Sequence, residues 1–430
     1  MAQQGYLHGL LLMNRFAIRH CLLLLAATLA SRMAQAQVPA PVVPAMPGVT
    51  LDSVRVAPQA VDISGWLLLD KDIQLELGGA VQSLYNYKFD RADRQFRSLR
   101  RRYPQHPMAY FLLGLSTWWK STPYNPDDTR YDKIFLAYVD TAEAKAEVLY
   151  RADAHNYEAL FFLSGAYGLE ARLHAFRHDW RKATVASRRS LTYLEKSREA
   201  NGLSAEFLFG QGLFNYYAAW IGERHPWLRP VMFFFPKGNR ELGLAQLRQV
   251  SERAFYTGTE GKNFLVDIFS DEREHQPEVA CQLARQLAQQ FPDNAYFERT
   301  YARLAFTTGK FDESEVACRD ILRKYAAGQA GYEPYLCRPA AYILGYLMQT
   351  KYQDVAQAKD YYQRCVVYSE QVGLTRRGYY VFAQAGLARL AAREKDETNA
   401  RRHYQAIVDQ SDTGEAEYKE ARTWLRTHRQ

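Results

Sequence analysis

Two segments decide the fold: "YKFDRADRQFRSLRRRYP", Tyr87 to Pro104, and "GKFDESEVACRDILRKYA", Gly309 to Ala326. Each opens on a turn followed by Phe-Asp. Each then places a small residue, an aromatic or cysteine, and an aliphatic residue three to four apart: Ala92, Phe96, Leu99 and Ser314, Cys318, Ile321. That spacing puts one apolar stripe on an amphipathic helix. "PEVACQLARQLAQQFPDN" (Pro277 to Asn294) repeats the second half, and Ala280 and Ser314 are equivalent positions. "VAQAKDYYQRCV" (Val355 to Val366) and "TNARRHYQAIVD" (Thr398 to Asp409) give Ala-x-x-x-Tyr followed by Cys or Ile.

A partner helix precedes each stripe. "YFLLGLSTWW" (Tyr110 to Trp119), "YFERTYARLAF" (Tyr296 to Phe306), "AYILGYLMQT" (Ala341 to Thr350) and "VFAQAGLARLA" (Val381 to Ala391) read as such first helices. Strand-like alternation is nearly absent from Asp70 onward. The chain resembles a tetratricopeptide repeat (TPR) protein, built from helix–turn–helix units of about 34 residues. The Leu-Gly steps Leu113-Gly114 and Leu344-Gly345 match that family's. "GNRELGLAQL" (Gly238 to Leu247) resembles a step in its tetratricopeptide-repeat-39-like branch, with Asn239 where that branch has aspartate.

The resemblance implies an all-α, right-handed α-solenoid of about eight TPR-like hairpins. "EYKEARTWLRTH" (Glu417 to His428) would be the capping helix. It covers 72–104 and 277–410 best, with divergence and inserts at 115–260. In such arrays each hairpin covers the apolar face of its neighbour and touches adjacent repeats alone.

The 430 residues are 47% hydrophobic and 24% charged, which is ordinary for a folded chain. A chain this long exceeds one round core, which suits an elongated array. Arg15, Arg19 and His20, the apolar run Cys21 to Ala30, and Ala34-Gln35-Ala36 follow the order of a secretory signal peptide. Cleavage after Ala36 leaves a periplasmic or secreted protein with 52 Lys and Arg against 47 Asp and Glu. That mild excess makes no case for nucleic acid. The apolar run is shorter than a membrane span needs, and no later segment is long enough. We read 1–36 as signal peptide, 37–65 as a Pro-rich tether and 66–430 as the repeat domain. Cys281, Cys318, Cys337 and Cys365 remain, with no metal-type spacing; disulfides and buried thiols are both compatible with export.

Catalytic motifs are absent. "YTGTEGKN" (Tyr256 to Asn263) departs from a phosphate loop at both ends and reads as a loop between hairpins. Glu170, His174 and His178 lie four apart, which on one helix face is a candidate metal set and the basis of a metal-dependent hydrolase reading. The competing reading, and the preferred one, is a helix tail whose solvated histidines favour the helix dipole, because no fourth ligand is evident. No cofactor is implied.

Projecting the TPR pattern lines the concave face with Phe111, Trp118 and Trp119, then Tyr296, Arg299, Arg303 and Phe306, then Tyr342 and Tyr346, then Arg389 and Arg393. Rings beside guanidinium groups suit an extended peptide or partner protein, the rings taking apolar side chains and the arginines carboxylates. They suit a glycan as well. Burial between helices competes with both readings.

The Ile221–Leu244 insert, "IGERHPWLRPVMFFFPKGNRELGL", interrupts one hairpin with Pro226, Pro230 and Pro236. Three readings stand: local core, a partner patch, or membrane-surface contact through Trp227 to Phe235.

Overall fold

A computed structural model describes residues 61–224 and 236–428, with side chains through Trp220 and from Pro236. Residues 1–36, expected to be a leader, the expected tether up to residue 60, and the Trp227–Phe235 part of the insert lie outside the described residues. Within them the chain is all-helical. Seventeen α-helices pack in order, each against the next.

They form eight pairs and a terminal helix. The pairs are α1 (Lys71–Tyr85) with α2 (Phe89–Arg102), α3 (Met108–Ser121) with α4 (Asp132–Ala152), and α5 (Tyr157–Phe176) with α6 (Trp180–Lys196). Next come α7 (Leu208–Arg224) with α8 (Arg240–Arg253), α9 (Gly258–Ser270) with α10 (Pro277–Gln290), and α11 (Ala295–Thr307) with α12 (Phe311–Ala326). The last are α13 (Pro334–Thr350) with α14 (Val355–Gln371), α15 (Tyr379–Arg393) with α16 (Glu397–Gln410), and the lone α17 (Ala416–Thr427).

The stripes read from the sequence are the buried ones. Ala92, Phe96 and Leu99, Ser314, Cys318 and Ile321, and Ala400, Tyr404 and Ile407 are all at most 3% exposed. The turns repeat as well. In five pairs a single left-handed residue joins the helices: Tyr87, His178, Gly309, Gln353 and Lys395, with φ between 56° and 77°. Side-chain caps start the following helix at Asp179, Asp354 and Asp396.

Close helix approach falls on glycines. A Cβ at Gly345 would sit 2.6 Å from the Tyr362 ring, and one at Gly386 would sit 2.7 Å from the same ring. Tyr362 is therefore clamped between α13 and α15. A Cβ at Gly243 would sit 2.5 Å from the Tyr216 backbone nitrogen, so α8 crosses α7 backbone to backbone.

Three expectations are corrected. Residues 256–263 are not a loop between hairpins: from Gly258 they form the start of α9. Glu206 takes the backbone N–H groups of Tyr256 (2.8 Å) and Thr257 (3.0 Å), so an internal carboxylate occupies the donors a phosphate would want. The helix read from Ala341 begins at Pro334 and carries Pro339 inside it.

Third, the repeats do not touch only their neighbours. Asn294 donates to the Tyr85 carbonyl (2.7 Å), Asn86 accepts from the Asp293 N–H (2.8 Å), and Lys88 pairs with Asp293 (2.8 Å). The Tyr85 ring meets Phe291, and Trp119 meets Tyr296 and Phe297. Glu260 accepts from Trp119 Nε1 (2.7 Å) and Tyr85 Oη (3.3 Å). Further round, Asn125 donates to the Val372 carbonyl (3.0 Å). The first two hairpins are thus fastened to the fifth, sixth and seventh, and the row of helices curls closed around its concave side.

Cys281, Cys318, Cys337 and Cys365 are buried free thiols on four different helices. Burial pushes the last three up to about 12, so they remain protonated and unreactive. No described helix is long and apolar enough to cross a membrane.

Candidate functional site

The curl bounds a partly open cavity of about 1880 Å³, lined mainly by the odd-numbered helices α3 to α15. That exceeds the ~300–1,000 Å³ of pockets for drug-sized ligands. Its wall changes character along the array. From α3 to α9 it is rich in aromatic and aliphatic side chains, with Phe111, Phe161, Phe176, Phe209, Leu213 and Phe264 partly exposed to it, and carries Arg172, Arg177, Glu260, Asn263 and Asp267 among them. From α11 to α15 it carries Tyr296, Arg299, Arg303, Tyr335, Arg338 and Tyr379.

The guanidinium groups differ in what they already hold. Arg172 lies over the Trp118 ring at 4.3 Å and 3.9 Å from Glu260. Burial raises the Glu260 carboxyl, opposed by Arg172 and by the bonds from Trp119 and Tyr85. Arg389 is bound to Glu420 through Nε at 2.8 Å.

Arg299, Arg303 and Arg338 form no ion pair with a described carboxylate. Arg299 Cζ lies over the rings of Tyr296 (5.2 Å) and Tyr335 (5.6 Å), and Arg338 Cζ lies over Tyr335 (5.1 Å) while its Nε donates to the Tyr335 carbonyl (3.4 Å). Arg338 is 5% exposed, and Arg303 Nη1 is buried with no hydrogen-bond partner among the described residues. Burial and the positive Arg299 nearby push Arg303 down, while Tyr379, Asp267 and Tyr296 counter this in part. Arg338 is also lowered, mainly by burial. Asn263, 3% exposed on α9, also lines the cavity.

Of the groove residues expected from sequence, seven line this cavity: Phe111, Trp118, Trp119, Tyr296, Arg299, Arg303 and Arg389. Trp119 does so marginally, being 2% exposed and bonded to Glu260. Four do not. Phe306 and Tyr342 are buried between helices, against Tyr346 and against Tyr362, Tyr379 and Phe382. Tyr346 packs on that Phe306 face, and Arg393 projects outward, exposed, at the end of α15. The reading missed Arg172, Tyr335, Arg338 and Tyr379. Tyr335 and Arg338, at i and i+3, sit in the first turns of α13, before the point where the sequence was taken to become helical.

The metal candidate does not assemble. Glu170 and His174 share the α5 face at 3.4 Å. His178 lies beyond the helix end, as the left-handed turn residue (φ 58°) equivalent to Gly309 and Lys395, with its ring against Trp180. Among the described residues no group of three His, Cys, Asp or Glu side chains is arranged to hold a metal ion.

No protein-family model matches the chain, and no curated protein matches it.

Proposed function

We propose that this is a non-enzymatic, exported binding protein of the tetratricopeptide-repeat type, a right-handed solenoid that holds an extended peptide segment of a partner protein in its concave face. The observation that carries this reading is the cavity of about 1880 Å³, lined along α3 to α9 by partly exposed rings and beyond them by arginines that form no ion pair with a described carboxylate. Extended chains offer apolar side chains, backbone amides and charged groups in alternation. Partly exposed rings receive the first, and the Asn263 carboxamide and cavity serines such as Ser187 suit the second. Glycan binding is less well served, because Trp119 and Tyr342, two of the rings expected to stack on sugar faces, are spent on internal packing.

The test is a photo-crosslinking amino acid placed at Phe161, inside the cavity, and at Val148, exposed on α4 as an outside control. With the mature chain in its own cell envelope, Phe161 should yield a polypeptide adduct and Val148 should not. Equal adducts at both positions, or none at Phe161, would defeat the reading. Export is checked separately by the mass of the mature chain, expected to begin at Gln37.

A further inference from the structure

The wall of the cavity is breached between the third and fourth hairpins. α11 packs directly on α13 and α13 on α15, so the outer helices α12 and α14 stay behind them. No comparable packing joins α5 to α7. There the cavity runs between the two inner helices down to α6, whose Ser187, Ser190, Leu191 and Leu194 line it. Among the described residues, α6 is the one even-numbered helix to do so. The gap is a wedge. At its narrow end the Phe161 ring meets Phe207 (5.9 Å), and a Cβ at Gly210 would sit 2.7 Å from Leu194 Cδ1. Toward Gly168 it opens: a Cβ there would meet Ser190 Oγ at 3.6 Å and nothing of α7 within 4 Å.

The cavity-lining residues of 161–169, 187–197 and 207–217 are all uncharged. Ser190 donates to the Ser164 carbonyl (2.8 Å) and Ser197 to the Leu194 carbonyl (2.9 Å), so these hydroxyls are turned to the backbone. Water in the cleft would find few of the polar partners that hold buried water, and carbon is its natural filling. At the mouth, one helical turn on from Gly168 along α5, stands Arg172. Its guanidinium lies over the rings of Trp118 (4.3 Å) and Phe264 (5.4 Å), and its ion pair with Glu260 is long, 3.9 Å, past hydrogen-bond reach. Glu260 is held instead by Trp119 and Tyr85.

We propose that this cleft binds a single-chain amphiphile, an unbranched alkyl tail with a carboxylate head, the tail lying between α5 and α7 against α6 and the head at Arg172. Packed helices lie about 8–10 Å apart axis to axis, so a cleft floored by an outer helix is deeper than the channel it opens from, and that depth suits a run of methylenes. Charge complementarity sets the orientation. The uncharged walls exclude an ionised head, and the guanidinium at the mouth receives it through charge-assisted bonds. The inference goes beyond the peptide reading and does not rest on it.

The test is calorimetric titration of the mature chain with octanoate, decanoate and dodecanoate, each below its micelle threshold, and with decan-1-ol. Affinity should rise about fourfold per methylene along the carboxylate series. R172Q should weaken decanoate about tenfold and leave decan-1-ol unchanged. G168L and S187F, which fill the cleft from α5 and from α6, should each weaken both decyl ligands about tenfold or more. V148F, on the exposed side of α4, should change neither. Circular dichroism of each variant must match the parent. No saturable binding of dodecanoate overturns the site. So does binding that neither filling variant weakens, or that does not grow with chain length. An R172Q chain that holds decanoate as tightly as the parent overturns the assignment of the head. The peptide reading is judged by its own crosslinks, and none of these results decides it.

Discussion

Replacing Gly345 or Gly386 with alanine places a methyl group against the same buried ring from opposite sides. In α13 the new Cβ would lie 2.6 Å from Tyr362 Cδ1, and in α15 it would lie 2.7 Å from Cε2. Each falls roughly 0.7–0.8 Å short of ordinary contact. Tyr362 is 2% exposed, is tied through its hydroxyl to Gln349 (2.8 Å) and has Tyr342 alongside it, so the ring has nowhere to retreat. Two terms compete. Alanine gains about 1 kcal/mol of helix propensity over glycine. Overpacking a close-fitting site costs about 1–3 kcal/mol. The upper part of that range applies, because the obstructing atoms are a rigid ring held on both faces. Each variant should therefore lose roughly 1–2 kcal/mol net. Gly79→Ala in α1, where the methyl meets nothing within 4 Å, should gain about 0.5–1 kcal/mol. Urea denaturation followed by circular dichroism separates the three. A double-mutant cycle adds Tyr362→Leu, which removes the obstructing ring and should make Gly345→Ala nearly neutral in that background. If Gly345→Ala and Gly386→Ala are as stable as the parent, the clamp is not what brings α13 and α15 together.

Asn294 caps α11 through the N–H groups of Tyr296 and Phe297 and donates to the Tyr85 carbonyl, so Asn294→Ala should cost about 2–4 kcal/mol in a thermal or urea melt. A cost under ~1 kcal/mol would mean that this link does not hold the curl closed. Burial, then the neighbouring Glu170 and Asp140, raises the Glu143 carboxyl to about 8. The folded chain thus keeps a proton that the unfolded chain releases above the ordinary carboxyl range, and stability falls as pH rises from about 4.5 toward 8. Glu143→Gln should therefore match the parent near pH 5 and exceed it by roughly 1–2 kcal/mol above pH 8, a gap that constant-ionic-strength melts will measure.

Second helices were legible because their burial is local. Ala92, Phe96 and Leu99 recur with the helical period, and what covers them is the preceding helix of the same hairpin. α9 was not legible. Its first turn, Gly258 to Gly261, is glycine-rich, and its buried side includes Glu260 and Asn263, which imitate a solvated loop. Glu260 is inside because Trp119 and Tyr85, more than 140 residues earlier, supply its hydrogen bonds. No local pattern encodes a partner that far away. The same holds for the closing contacts between Tyr85 and Phe291. Within the site, Arg299 and Arg303 were placed by projecting the repeat pattern of the resembled family, whereas Tyr335 and Arg338 precede Ala341, where the helix was read to begin, and lie between Pro334 and Pro339, which start and tolerate a helix. His178 was misplaced for a related reason: four-residue spacing says nothing about where the helix stops.

The clasp between the first hairpins and the Phe291–Phe297 segment has a consequence for how the chain comes to be made. A linear stack can settle unit by unit as each emerges, but here Tyr85 and Trp119 are without their covering rings until some two hundred residues more have been synthesised. High sequence separation of this kind slows the final step. The early hairpins should wait as a loosely docked, sticky nucleus, vulnerable to protease and to self-association, and then lock together with the middle of the molecule in one late event.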